Sequence, residues 1–169
     1  MTMIDPATAI GTILKAALSL DGGHIIFGYE NWSVPQDQGL YVVITDMGPR
    51  PVAVMSDMNG AGDGTMVETQ SATMLHMIQI DMMSFNDDAR SRAWEVLSAF
   101  GVTAAQRVME DNNLQISRHP APFLNTSALE ETANLKRYTT TVLVTALQSK
   151  TQNVDFFDTF EIKEVVTNE

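Results

Sequence analysis

Two segments, Met66 to Met83 and Leu129 to Gln148, alternate residue by residue far beyond the ordinary length of a strand, and they bracket one amphipathic helix. In the first, Val67, Thr69, Ser71, Thr73, Leu75 and Met77 share one face, while Glu68, Gln70, Ala72, Met74, His76, Ile78 and Ile80 share the other, as a two-residue period requires. In the second, Tyr138, Thr140, Val142, Val144 and Ala146 alternate with Arg137, Thr139, Thr141, Leu143, Thr145 and Leu147. Both segments are rich in threonine and β-branched side chains, which suit a pleated surface. Strands in compact domains usually run about 5 to 6 residues, so segments this long must project beyond their core. What projects usually meets a partner.

The rest of the chain must supply that core. With 169 residues and 44% hydrophobic content, residues 1–169 fit a single domain that needs neither metal nor disulfide. The absence of cysteine removes disulfides, thiolate catalysis, iron–sulfur clusters and cysteine-based zinc sites together. No run approaches the roughly 18 apolar residues that cross a bilayer, and the N-terminus lacks the order of a secretory signal. A soluble protein made in the cytoplasm is expected.

The net charge of −11 is unevenly spread. Residues 1–68 carry eight acids against Lys15 and Arg50, a net of −6, and residues 151–169 carry five acids against Lys163, a net of −4. The middle is nearly neutral. With no basic stripe to displace counterions from phosphates, tight nucleic-acid binding is not expected. An acidic surface can still face DNA without holding it.

Asp5 followed by Pro6 is a helix start, and Ile10, Ile13, Leu14, Ala17 and Leu18 recur at helical spacing toward a glycine cap at Asp21-Gly22-Gly23. His24 to Tyr29 reads as a short strand, and Asn31 to Gly39 as a surface loop. Leu40 to Asp46 and Pro51 to Met55 read as two strands with a tight reversal at Met47-Gly48-Pro49-Arg50. Ser84 with Asp87 is a capping-box pattern for the main helix, whose apolar stripe is Ala89, Ala93, Trp94, Leu97 and Phe100. A second helix, Thr103 to Asp111, turns Ala104 and Val108 inward, and Leu114 to Arg118 is a short strand. Residues 151–169 form an acidic C-terminal extension or an edge strand within Phe156 to Val166. Consecutive strand runs favour an α+β fold, an antiparallel or mixed sheet with two main helices on a face and long protruding strands or a hairpin.

Little in the chain is arranged for chemistry. From Asp57, the residues Asp57, Asn59, Gly62 and Glu68 fit an EF-hand loop, but Ala61 does not and the flanks are strands. The same glycines lack the lysine and helix of a phosphate loop. His24, His76 and His119 have no second ligand at helical spacing, and His76 alternates onto a strand face where partial burial is expected. Pairs such as Asp87-Asp88 and Glu130-Glu131 point in different directions. Asn31-Trp32-Ser33 and Asn125-Thr126-Ser127 match a glycosylation sequon that has no meaning without secretion. Eight of the eleven methionines lie between Met47 and Met83; most suit an irregular core, whereas Met58 and Met66, flanking the glycine loop, suit subunit contacts.

The run Ile78-Gln79-Ile80-Asp81-Met82-Met83-Ser84-Phe85, then Asp88-Ala89-Arg90-Ser91-Arg92-Ala93, then Tyr138-Thr139-Thr140-Thr141-Val142-Leu143-Val144, resembles tailed-phage neck and tail terminator proteins. The early run Pro35 to Ile44, with Tyr41-Val42-Val43-Ile44, also looks like that family's first strand. The resemblance follows the order of elements over residues 25–165 and contains no catalytic motif. It implies a structural virion protein assembled in the host cytoplasm: a six-membered ring that caps the tail tube, joins it to the head connector and lets genomic DNA pass. Its partners would be other copies of itself, the tail tube protein and the connector, with no cofactor and no membrane. On charge, Asp57, Asp63, Asp155, Asp158, Glu161 and Glu164 are the first candidates for the lumen. The rival readings are another tail or connector subunit, from tube or baseplate, and a small enzyme or calcium-dependent binding module built on Asp57 to Glu68.

Overall fold

Three very long strands organise the molecule. The computed structural model describes residues 4–31, 37–60, 66–116, 120–130 and 133–154. Along the chain come α1 (Pro6–Leu18), a single 3-10 turn (Gly22–His24), β1 (Ile25–Phe27), β2 (Tyr41–Gly60) and β3 (Met66–Ser84). There follow α2 (Asp88–Ser91), α3 (Ala93–Ala99), α4 (Thr103–Asp111), β4 (Leu114–Ile116), β5 (Leu124–Asn125), β6 (Ala128–Glu130) and β7 (Ala133–Val154). The sheet runs β1-β2-β3-β7-β4, with β5 and β6 also paired to β7. β1 is parallel to β2 and every other pair is antiparallel. This is the expected α+β architecture with a mixed sheet.

The helices cover one face of one end of that sheet. Val42 and Ile44 of β2, Ile78, Ile80 and Met82 of β3, and Val142, Val144 and Ala146 of β7 meet Ile10, Leu14 and Leu18 of α1 and Val96 and Ala99 of α3 in one core. The alternation of β3 and β7 is thereby fixed in space: Tyr138, Thr140, Val142, Val144 and Ala146 do face inward. On the opposite face a smaller cluster, Ile26, Tyr41, Val43 and Met83, is flanked by Leu135.

α1 begins as its sequence demands, with the Asp5 carboxylate accepting from the Thr8 N–H at 3.0 Å and Pro6 at the first position. It ends earlier than the glycines: Ser19 itself takes the left-handed cap, φ 52°. The main helix is broken in two at Arg92. That guanidinium donates to Glu95 and to the Leu18 carbonyl at 2.6 Å, so the break ties α3 to the end of α1. Ser84 caps α2 through its hydroxyl, which accepts from the Ala89 N–H at 3.0 Å, but Asp87 makes no capping bond and pairs with Lys136 instead. Trp94 is 65% exposed and Leu97 also faces outward; Ala89, Val96 and Ala99 form the buried stripe. In α4 the buried alanine is Ala105, not Ala104.

The largest departure is in β2. Where a reversal was expected at Met47-Gly48-Pro49-Arg50, one strand continues from Tyr41 to Gly60 through two irregularities, between Asp46 and Pro49 and between Pro51 and Ala53. Gly48 takes φ +103° there, a conformation open to glycine at little cost. Proline is tolerated because this stretch of β2 is an edge: among the described residues β1 pairs only with Val42 to Ile44.

Candidate assembly surface

Beyond the body, eight residues of each long strand, Ala53–Gly60, Met66–Thr73 and Leu147–Val154, form a three-stranded ribbon with no helix on either face. At strand rise that is roughly 27 Å of projecting sheet. The register is unbroken over this length: Ala72 lies between Val54 and Gln148, Thr69 between Asp57 and Thr151, and Met66 between Gly60 and Val154. Three strands can hold such a ribbon where an isolated hairpin could not.

Its two faces differ in chemistry. The face continuous with the helical core carries Val54, Met58, Met66, Ala72 and Val154 with Ser56, Glu68, Gln70, Lys150 and Gln152. There the Ser56 hydroxyl donates to Glu68 at 2.6 Å, and the Gln70 and Gln152 amides donate to the same carboxylate at 3.1 and 2.7 Å. These donors, Ser56 foremost, hold the Glu68 carboxyl below the usual carboxylate range. The other face carries Asp57, Asn59, Thr69, Ser71, Thr73, Ser149, Thr151 and Asn153, with Met55, Val67 and Leu147 between them. Most of what this face offers is hydroxyl and amide.

Both borders of the ribbon are open among the described residues. β4 pairs with β7 only as far as Ala146, and the Leu147 N–H reaches the Asn113 carbonyl at 3.4 Å. Among the described residues the outer side of β2 has no strand beyond Ile44. Along that border Val52, Val54, Met55 and Met58 stand exposed, Val54 and Met55 at 71% each. Monomeric proteins rarely leave a long apolar edge unblunted.

Two polar pairs, each with one buried partner, secure the ribbon's root and the sheet's bare face. His76, 5% exposed, donates from Nδ1 to Asp46 at 2.8 Å across the irregular stretch of β2, and its Nε2 has no hydrogen-bond partner among the described residues. It is more deeply buried than the sequence suggested. Asp81, 2% exposed, accepts from Arg137 at 2.7 Å and from the Thr139 hydroxyl. Arg137 stays charged, because Asp81 raises its pKa further.

The sequence candidates separate accordingly. Asp57 and Met58 are neighbours on opposite faces of the ribbon, and Met66 sits level with Gly60 and Val154. Asp63, Asp155, Asp158, Glu161 and Glu164 lie outside the described residues, as does the Phe156 to Val166 segment. The exposed border Val52 to Asn59 was missed because β2 read as two short strands; its signal was the alternation of Val54, Ser56 and Met58 with Met55, Asp57 and Asn59.

Among the described residues no three His, Cys, Asp or Glu side chains gather to hold a metal ion. An apolar groove of about 200 Å³ between α1 and α4 is lined by Thr12, Ile13, Ala16, Ala17, Val102, Ala104, Ala105 and Val108, none of which titrates. No described helix is long and apolar enough to cross a membrane. No curated protein matches the chain. A family model described as phage neck terminator protein matches residues 7–169, nearly the whole chain, and spans both the helical body and the ribbon. The chain belongs to the phage neck terminator family.

Proposed function

We propose that this chain is the subunit of a ring, a hexamer, which caps the head-proximal end of the tail tube and joins it to the head connector while genomic DNA passes through. The observation that carries this reading is the ribbon: a folded, apolar-bordered sheet that no other described part of the chain covers. Copies of the chain, the tail tube protein and the connector protein are its partners. The ribbon's distal residues hold only Asp57, Glu68 and Lys150 as charges, so it gives passing DNA little to bind. Asp57 is the described member of the acidic set assigned to the lumen, and Met58 and Met66 are assigned to subunit contacts. No reaction is assigned to the protein.

Gold-antibody labelling of intact phage particles, viewed in negative stain, tests the position. Label confined to the head–tail junction is the expected result. Label along the tube or at the tail tip would replace this reading with another tail role.

A further inference from the structure

Resting on the ring reading, we propose that the distal edge of β2 in one copy, Ala53 to Asn59, pairs in parallel with the distal edge of β7 in the next, Gln148 to Val154, so that one sheet continues around the ring. Among the described residues each copy presents two bare edges of matching length at the same distance from its body, since Val54 is level with Gln148 and Met58 with Gln152 across β3. On β2 the two prolines, Pro49 and Pro51, stand at the ribbon's root, where a missing N–H spoils an edge. The distal stretch of β2 holds neither proline nor lysine, the usual means of blunting an edge, and that of β7 holds no proline and the single Lys150.

Direction follows from topology. β2 and β7 are both antiparallel to β3 and so both run from body to tip. Rotation about a ring axis lying along the ribbons preserves that direction, which makes each junction parallel. Rotation selects the crosswise pairing, since a ring axis sets one copy's β2 edge against the next copy's β7 edge; joining like edges would instead bring Asp57 toward Asp57 or Lys150 toward Lys150. Closure then leaves no copy with an unpaired border.

The chain has no native cysteine, so introduced thiols report cleanly. In a Val54→Cys, Gln148→Cys chain the two thiols stand two strand spacings apart within a copy, roughly 9.5 Å, beyond the about 4.4 to 6.8 Å a disulfide spans. Any disulfide is therefore between copies. Under oxidation the double variant should give a non-reducing ladder rising to the full ring, as should Met58→Cys with Gln152→Cys, while each single variant stays uncrosslinked. Dimers from Val54→Cys alone or Gln148→Cys alone would overturn the proposal in favour of like edges meeting. A ring seen by mass photometry without a ladder, when Val54→Cys is combined with Gln148→Cys, Lys150→Cys or Gln152→Cys, would overturn the junction and leave the ring standing. A ladder that forms only after the chain is cut at Val154 would assign the edge to the chain's own residues 155–169 and also overturn it. If no ring forms, both the ring reading and the junction fall.

Discussion

At the scale of single residues, burial separates side chains that the sequence groups together. Trp94 sits in the apolar stripe of the main helix by spacing, yet it is 65% exposed, because the face turned to the core runs through Ala89, Val96 and Ala99. Leu14 is fully buried beneath the sheet. Leu14→Ala should therefore cost about 2 to 5 kcal/mol and Trp94→Ala less than about 1 kcal/mol, as read from urea unfolding midpoints; equal costs would contradict this packing. Tyr41 offers a second check. Burial first, and then the Asp37 carboxylate that accepts its hydroxyl, push its phenol from the usual 10.0 up to about 12. A raised acid pKa favours the neutral form in the fold, so its contribution is whole below pH 10 and disappears between pH 10 and about 12. Melting temperature should fall across that window less steeply in Tyr41→Phe than in the parent chain. An identical slope would move the cause to other groups.

At the scale of elements, what was legible followed from unbroken periodicity. β3 was readable because its alternation runs on without interruption, and α1 because capping and spacing agree at its start; the late segment from Leu129 to Gln148 was readable only in its middle, since Leu129 belongs to β6 and β7 runs from Ala133 on to Val154. β2 was not, since Gly48, Pro49 and Pro51 are local signs of a turn, and only the lack of an outer neighbour lets a strand absorb them. Losing β2's continuity also hid the candidate surface, which needs its third strand to stand. Gly48 tests this account: at φ +103° a Cβ is strained even in open space, so Gly48→Ala should cost about 1 to 2 kcal/mol. Thermal unfolding of the purified chain measures that loss. A neutral result would mean that the root of the ribbon relaxes freely around position 48.

At the scale of the whole molecule, the chain is a phage neck terminator and hence a structural protein of the virion, associating with other neck and tail proteins. Its net charge of −11 opposes any gathering of copies. One acid and one lysine at each proposed junction would not offset that repulsion. Raising sodium chloride from about 50 mM to about 500 mM shortens the range of the repulsion severalfold, so the assembled fraction seen by mass photometry should grow; a fall with salt would show that attraction between opposite charges governs association. Ile4 precedes α1 on the helical body, whereas β7 carries Val154 to the far end of the ribbon. The molecule is thus a pointer with a chemically addressable head and tip. Two labels, one ahead of α1 and one after β7, would register at different heights along a tail. The sense of their offset would reveal whether the ribbon aims at the capsid or away from it.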